Sequence, residues 1–192
     1  MALFYLIAQL KIESTQTIRQ NTRAMQQIIK NIETFIEWTG RTISWLTLGM
    51  VLLTFLVVLL RYVFNTGWIA LQESINYMHA LVFLIGAAYT LKHNEHVRVD
   101  IIYSKLSERG KAWIDLSGHI FILLPVMLFI FWISWGYIIA SWSVFESSAE
   151  AGGLPAVYLL KSSIILMSVL LILQSFAQIL KAVNTLSTRD NA

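Results

Sequence analysis

Four long apolar runs divide this chain, and each is long enough to cross a lipid bilayer. They cover about residues 43–60, 75–91, 114–140 and 157–180. A hydrocarbon core of roughly 30 Å requires about 20 apolar residues at about 1.5 Å of helix rise per residue. Since 57% of the 192 residues are apolar and only 13% are charged, the composition is not that of a soluble domain. The sequence predicts an all-α, polytopic membrane protein with four transmembrane helices.

The lysines and arginines predict how these helices are oriented. Of the 14, five precede the first run, one lies in the first loop, five in the middle loop, one in the third loop and two in the tail. Because basic loops stay on the cytoplasmic side, both termini and the middle loop are predicted to be cytoplasmic. The loops that hold Glu73, Glu146 and Glu150 then face outward. Topology also explains the net charge of +3, so a nucleic-acid partner is not expected.

Two predicted cytoplasmic segments flank the transmembrane domain, residues 1–42 and residues 181–192, and they differ from each other in composition. The tail is short and polar, whereas the N-terminal segment predicts an amphipathic helix. We do not interpret its apolar opening, residues 1–10, as a signal peptide, because it lacks a basic start and a cleavage site. The helix could lie on the inner membrane surface or on the cytoplasmic surface of a partner. Its apolar residues recur at helical spacing: Ile18, Met25, Ile28, Ile29, Ile32, Phe35 and Ile36.

Local signals predict details of the transmembrane domain. The small residues 86–88 would allow another helix to approach the second span closely. Ser107 is a candidate N-cap, and Pro125 should kink the third span or leave a backbone carbonyl for a neighbour to satisfy. Ser147 and Glu150 have the spacing of a capping box, which predicts a short helix before the glycine pair that follows.

Cofactor sites are not predicted. The chain has no cysteine, which excludes disulfides, thiolate catalysis and iron–sulfur clusters. His79 and His119 enter their spans from opposite sides and differ in predicted depth by more than about 10 Å, too far for two axial ligands of one haem. A cytoplasmic metal site is a weaker alternative than solvated loop side chains for His93, Glu95, His96 and Asp100.

A transport pathway or an active site within this chain is also not expected. Transporter sites place polar groups on broken helices near the midplane, whereas the middles of all four spans are almost wholly apolar. Asp115, His119 and Lys161 lie near span ends, where structural roles are more common. No arrangement of Ser, His and Asp or of paired carboxylates indicates an enzyme.

Four segments in order resemble the small membrane subunit of tripartite ATP-independent periplasmic (TRAP) transporters. The likeness covers about residues 43–179 and is greatest to the DctQ-like branch often labelled for mannitol or chloroaromatic compounds. The residues that carry it are RYVFN at 61–65, IALQES at 69–74, HVRVD at 96–100 and EAGGLPAVYLLKS at 150–162. The resemblance implies a bacterial inner-membrane transporter in which a periplasmic binding protein captures an organic anion. A large permease subunit then moves it inward with sodium, and the small subunit braces the large one.

The resemblance also suggests which residues contact partners. Arg61 and Glu73 are candidates for an outer-face pair, although Arg61 could instead meet lipid phosphates. Arg98 and its neighbours could form an inner-face clasp or only tie down their own loop. The full set of interface candidates is Arg61, Glu73, His96, Arg98, Asp100, Glu146 and Lys161.

Two other classes of function remain open at this point. One is a cytochrome b-like or quinone-linked membrane anchor of an oxidoreductase, which Soret absorbance would reveal. The other, weaker alternative is a self-sufficient small channel or exporter.

Overall fold

A computed structural model describes the backbone of residues 2–95 and 103–189, with side chains for residue 20 and for residues 22–95 and 103–187. In these ranges the chain is helical without strands, as predicted. The helices are α1 (Ala2–Val63), α2 (Ile69–Lys92), α3 (Glu108–Gly118), α4 (Leu124–Ser143) and α5 (Val157–Arg189). A π-helical turn, His119–Leu123, joins α3 to α4. Four helical stretches are long and apolar enough to cross a membrane, with α3, the π turn and α4 counting as one.

Helix α1 unites the predicted amphipathic segment and the first span. It continues without a break through 62 residues. Ile29 and Ile36 on its N-terminal part are buried, whereas Ile28 and Phe35 are about half exposed. Ile36 packs with Ile85 of α2 in the main core, so part of the amphipathic face is covered by the chain's own helices.

Helix α5 lies at the centre of the bundle. It packs against α1, α2, α3 and α4, and α1 also packs along α2. The core contains one buried set of apolar side chains from α1, α2, α4 and α5: Ile36, Ile85, Ala88, Met127, Leu170 and Leu171. Gly40 lets α1 approach α2 here, because a Cβ at Gly40 would lie only 2.7 Å from Tyr89 Cβ.

Three helices end in the same way. Asn65, Asn94 and Phe145 each lie two residues beyond a helix and have left-handed φ values of 51°, 58° and 45°. The next backbone N–H then donates back to the last turn, as in Thr66 N to Leu60 O at 3.0 Å. At α2 and α4 these bonds form a Schellman motif, whose left-handed residue asparagine tolerates well and phenylalanine adopts with strain.

The backbone irregularity predicted at Pro125 takes the form of the π turn that precedes this residue. Proline lacks an N–H, and its ring crowds the carbonyl of the residue four positions earlier. The chain widens into the π turn immediately before Pro125, and Leu124 N–H donates to His119 O. The predicted N-cap is confirmed, since the Ser107 hydroxyl accepts from Gly110 N–H.

The predicted short helix at the capping-box sequence is wrong. Residues 144–156 form turns and bends without a helical segment. The Ser148 hydroxyl, rather than that of Ser147, accepts the backbone N–H of Glu150. Gly152 has φ +81°, a conformation that ends any helix at this point.

Candidate functional site

The loop between α4 and α5 is fastened to α2 through one carboxylate. Glu73, in the second turn of α2, accepts a hydrogen bond from the Ser148 hydroxyl and another from Leu154 N–H at 2.6 Å. Ser148 N–H also donates to Leu154 O at 3.0 Å, which closes the loop on itself. One side chain of α2 therefore holds both arms of the loop.

Gly153 makes this closure possible. A Cβ at this position would lie 2.5 Å from Ser148 Oγ and 2.7 Å from Glu73 Oε2. Such distances are not compatible with the two hydrogen bonds to Glu73. Together with the positive φ of Gly152, this explains why the loop contains two consecutive glycines.

A second contact ties the start of the loop to α5. Glu146 and Lys161 form an ion pair, and Lys161 is the more buried of the two, with 15% of its side chain exposed. Lys161 Nζ also lies 4.0 Å from the centre of the Tyr137 ring, within the range of a cation–π contact. The Lys161 ammonium holds the pKa of the Glu146 carboxyl below its usual range. We call Glu73, Glu146, Ser148, Leu154 and Lys161 together the Glu73 network.

Aromatic side chains complete this end of the bundle. Trp142 Nε1 donates to Ser162 Oγ at 2.8 Å. The rings of Trp142 and Phe145 both meet Tyr158 edge to face, at centroid distances of 4.6 and 5.7 Å. The Phe145 contact lies at the strained helix end, so ring packing there accompanies an unfavourable backbone conformation.

A second polar network lies at the other end of α2. Glu37 of α1 bonds Arg41 at 2.8 Å, Lys92 at 2.5 Å and His93 at 3.0 Å. One turn earlier on α1, Glu33 forms an ion pair with Lys181 of α5. This Glu37 network joins α1 to the ends of two other helices.

The predicted interface residues divide into three groups. Glu146 and Lys161 are brought together, but as partners within the chain. Glu73 is bonded to the loop, while Arg61 lies exposed in the last turn of α1. The remaining candidates, His96, Arg98 and Asp100, fall outside the described residues. Their role as an inner-face clasp stays a prediction.

The histidines do not assemble a cofactor site in the described part of the chain. His119 is buried, and its Nδ1 lies 3.1 Å from Ser175 Oγ of α5. His79 is exposed on α2. Among the described residues, no group of three or more His, Cys, Asp or Glu side chains is arranged to hold a metal ion.

The chain is similar in sequence to one known protein family. The sequence model of one family, the DctQ component of tripartite ATP-independent periplasmic transporters, matches residues 50–185. The chain belongs to this family. The matched range of this DctQ component contains the whole Glu73 network, whereas Glu33, Glu37 and Arg41 precede it.

A relative from Haemophilus influenzae supports the same assignment. Its name places it provisionally among the TRAP transporter small permease proteins, and it is 32% identical over 81 residues. That alignment covers 42% of the chain described here and half of the relative's length. No solved structure matches the chain. The resemblance to TRAP small subunits is therefore confirmed at the level of the family.

Several residues of the two networks were not anticipated from the sequence. Ser148 and Leu154 were missed because a hydroxyl and a backbone N–H carry no distinctive pattern. Glu37 was missed because its partners Lys92 and His93 are more than fifty residues away. The one available signal was the glycine pair at 152–153, since consecutive glycines are typical of tight turns.

Proposed function

We propose that this chain is the small, non-enzymatic subunit of a TRAP transporter that imports an organic acid together with sodium. It acts in the bacterial inner membrane with both termini in the cytoplasm. Its role is to hold a large permease subunit at a fixed depth and tilt, while a periplasmic binding protein delivers the substrate.

The observation that carries this proposal is the continuity of the spanning helices. Substrate and ion sites of secondary transporters are built on unwound helices near the bilayer midplane. Here α1, α2 and α5 run without interruption, and the π turn before α4 keeps its helical hydrogen bonding. Packed apolar side chains from four helices form a continuous core, and the polar side chains Ser168, Gln174 and Ser175 of α5 are fully buried beside it. Such a bundle is suited to support and not to conduction.

The Glu73 network gives this support a defined surface on the proposed periplasmic side. Because Glu73, Glu146 and Lys161 are occupied within the chain, they act on partners by fixing the loop's shape. Arg61 is exposed and available for direct contact with the permease subunit or the binding protein. On the opposite side, His96, Arg98 and Asp100 remain our candidates for a cytoplasmic clasp.

Uptake by reconstituted subunits tests the proposal. We expect proteoliposomes with the large subunit, this chain and the binding protein to accumulate an organic acid when a sodium gradient is imposed. Omitting this chain should abolish uptake, and this chain alone should transport nothing. Full uptake by the large subunit alone, or uptake by this chain alone, would contradict the assignment. A Soret band in the purified chain would instead favour an oxidoreductase anchor.

A further inference from the structure

One face of α2 presents three polar side chains and one phenylalanine to the outside of the bundle. Gln72, Asn76, His79 and Phe83 are all exposed. Their spacing of four, three and four residues places them in one line along the helix. We call these four residues the α2 stripe.

The depth of the stripe makes lipid an unsuitable neighbour. Helix α2 has 24 residues and is therefore about 36 Å long. His79 lies about 15 Å from its first residue and about 20 Å from its last. Because α2 begins six residues before the predicted span of 75–91, His79 lies close to the middle of the helix and not near its outer end as the sequence implied. Hydrocarbon offers no hydrogen-bond partner for amide or imidazole groups, so polar side chains at this depth face protein or water.

Other open faces of the bundle differ in this respect. The exposed side chains of α1 at membrane depth include Val51, Leu52 and Phe55, and those of α4 include Phe129 and Trp132. These apolar surfaces are compatible with lipid chains. Polar groups in a row thus distinguish the α2 stripe from the neighbouring surfaces.

The stripe continues into a groove between α1 and α2. Phe83 borders this groove, which has a volume of about 600 Å³ and includes Gly86 and Ala87 of α2. From α1, Ser44 and Thr47 line the other side, and the charged residues Arg41 and Glu95 also border the groove. Small residues on both walls allow another helix to come close to the backbone.

We infer that the α2 stripe and this groove bind a membrane-spanning helix of the large permease subunit. The inference rests on the proposed function and names the surface through which bracing occurs. The bound helix presents hydrogen-bonding groups opposite Asn76 and His79, and a larger side chain enters the groove beside Gly86. The partner helix supplies the hydrogen-bonding groups that the lipid chains lack at this depth.

Photo-crosslinking from single positions tests the inference in the assembled complex. The chain has no cysteine, so Asn76→Cys or Phe83→Cys creates its sole thiol, to which a benzophenone maleimide can be attached. Matched controls carry the probe at Phe129 or Trp132, which are 62% and 82% exposed on α4. We expect an adduct with the mass of one small and one large subunit, at least tenfold stronger from the α2 positions. Adducts mainly from α4, or between two copies of this chain, would overturn the inference.

Replacing the polar groups gives an independent readout. Asn76→Leu combined with His79→Leu should reduce co-purified large subunit at least tenfold at unchanged amounts of this chain. Phe129→Leu combined with Trp132→Leu should leave co-purification unchanged. If the wild-type complex forms and the α2 variant retains all of it, the inference fails while the proposed function stands. If the wild-type chain captures no large subunit at all, both fail.

Discussion

Replacing Gly40 by alanine should separate α1 from α2. A Cβ built on Gly40 would lie 2.5 Å from Tyr89 Cγ and 2.7 Å from Tyr89 Cβ. Rotation of the tyrosine ring cannot relieve the second contact, because Tyr89 Cβ is fixed to the backbone of α2. The two helices must therefore move apart by about 1 Å to restore an ordinary contact distance.

The expected cost follows from the physics of overpacking. Inserting a methyl group into a closely packed contact typically destabilises a protein by about 1–3 kcal/mol. Alanine also stabilises a helix interior by about 1 kcal/mol relative to glycine, which partly offsets the steric destabilisation. Gly136→Ala is a matched control, since a Cβ there meets nothing within 4 Å. Both variants share the helix-propensity gain, so their difference isolates the steric effect of about 1–3 kcal/mol.

Thermal unfolding of the purified chain in detergent measures this difference. We expect Gly136→Ala to unfold at or slightly above the wild-type temperature and Gly40→Ala to unfold several degrees lower than Gly136→Ala. Equal melting of the two alanine variants would refute the close approach of α1 and α2 at Gly40.

Three further predictions concern the loops. The lowered pKa of Glu146 means that its stabilising contribution is complete above the ordinary value of 4.5 and is lost as the pH falls through the lower folded value. Glu146→Gln should therefore lose less stability than the wild-type chain when melting is compared at pH 7 and pH 3, and an equal loss would exclude this contribution. Gly153→Ala should expose the loop at residues 144–156 to limited proteolysis, whereas Gly67→Ala, where a Cβ meets open space, should not. An impermeant maleimide should label Glu150→Cys only from the periplasmic side and Glu95→Cys only from the cytoplasmic side, and the reverse pattern would overturn the topology.

The spanning helices were predictable because their signal is local. A helix that crosses a bilayer needs a continuous run of apolar residues, and these runs identified all four spans. The start of α5 at Val157 agrees with the prediction, since a glycine pair and Pro155 precede it. Helix ends beyond the apolar runs were less predictable, because α2 begins six residues before its run and α5 continues nine residues past its run, where polar residues still favour a helix.

Contacts between distant segments could not be derived in the same way. Ser147 and Glu150 satisfied the capping-box spacing, but Glu73 of α2 binds the loop through Ser148 and Leu154. Long-range hydrogen bonds override a local helix signal when they satisfy more backbone groups. Glu73 as a partner-interface residue stays a prediction, and its role in shaping the loop required knowledge of the fold.

The length of α1 has a mechanical consequence. At about 1.5 Å per residue its 62 residues extend about 93 Å, roughly three times the hydrocarbon thickness. About 60 Å of this helix precedes residue 43, where the apolar span begins. If the helix moves as one rod, a change of about 10° in its tilt displaces its N-terminal end by about 10 Å. Small rotations of the subunit within the bilayer would thus become large displacements at the N-terminal end of α1.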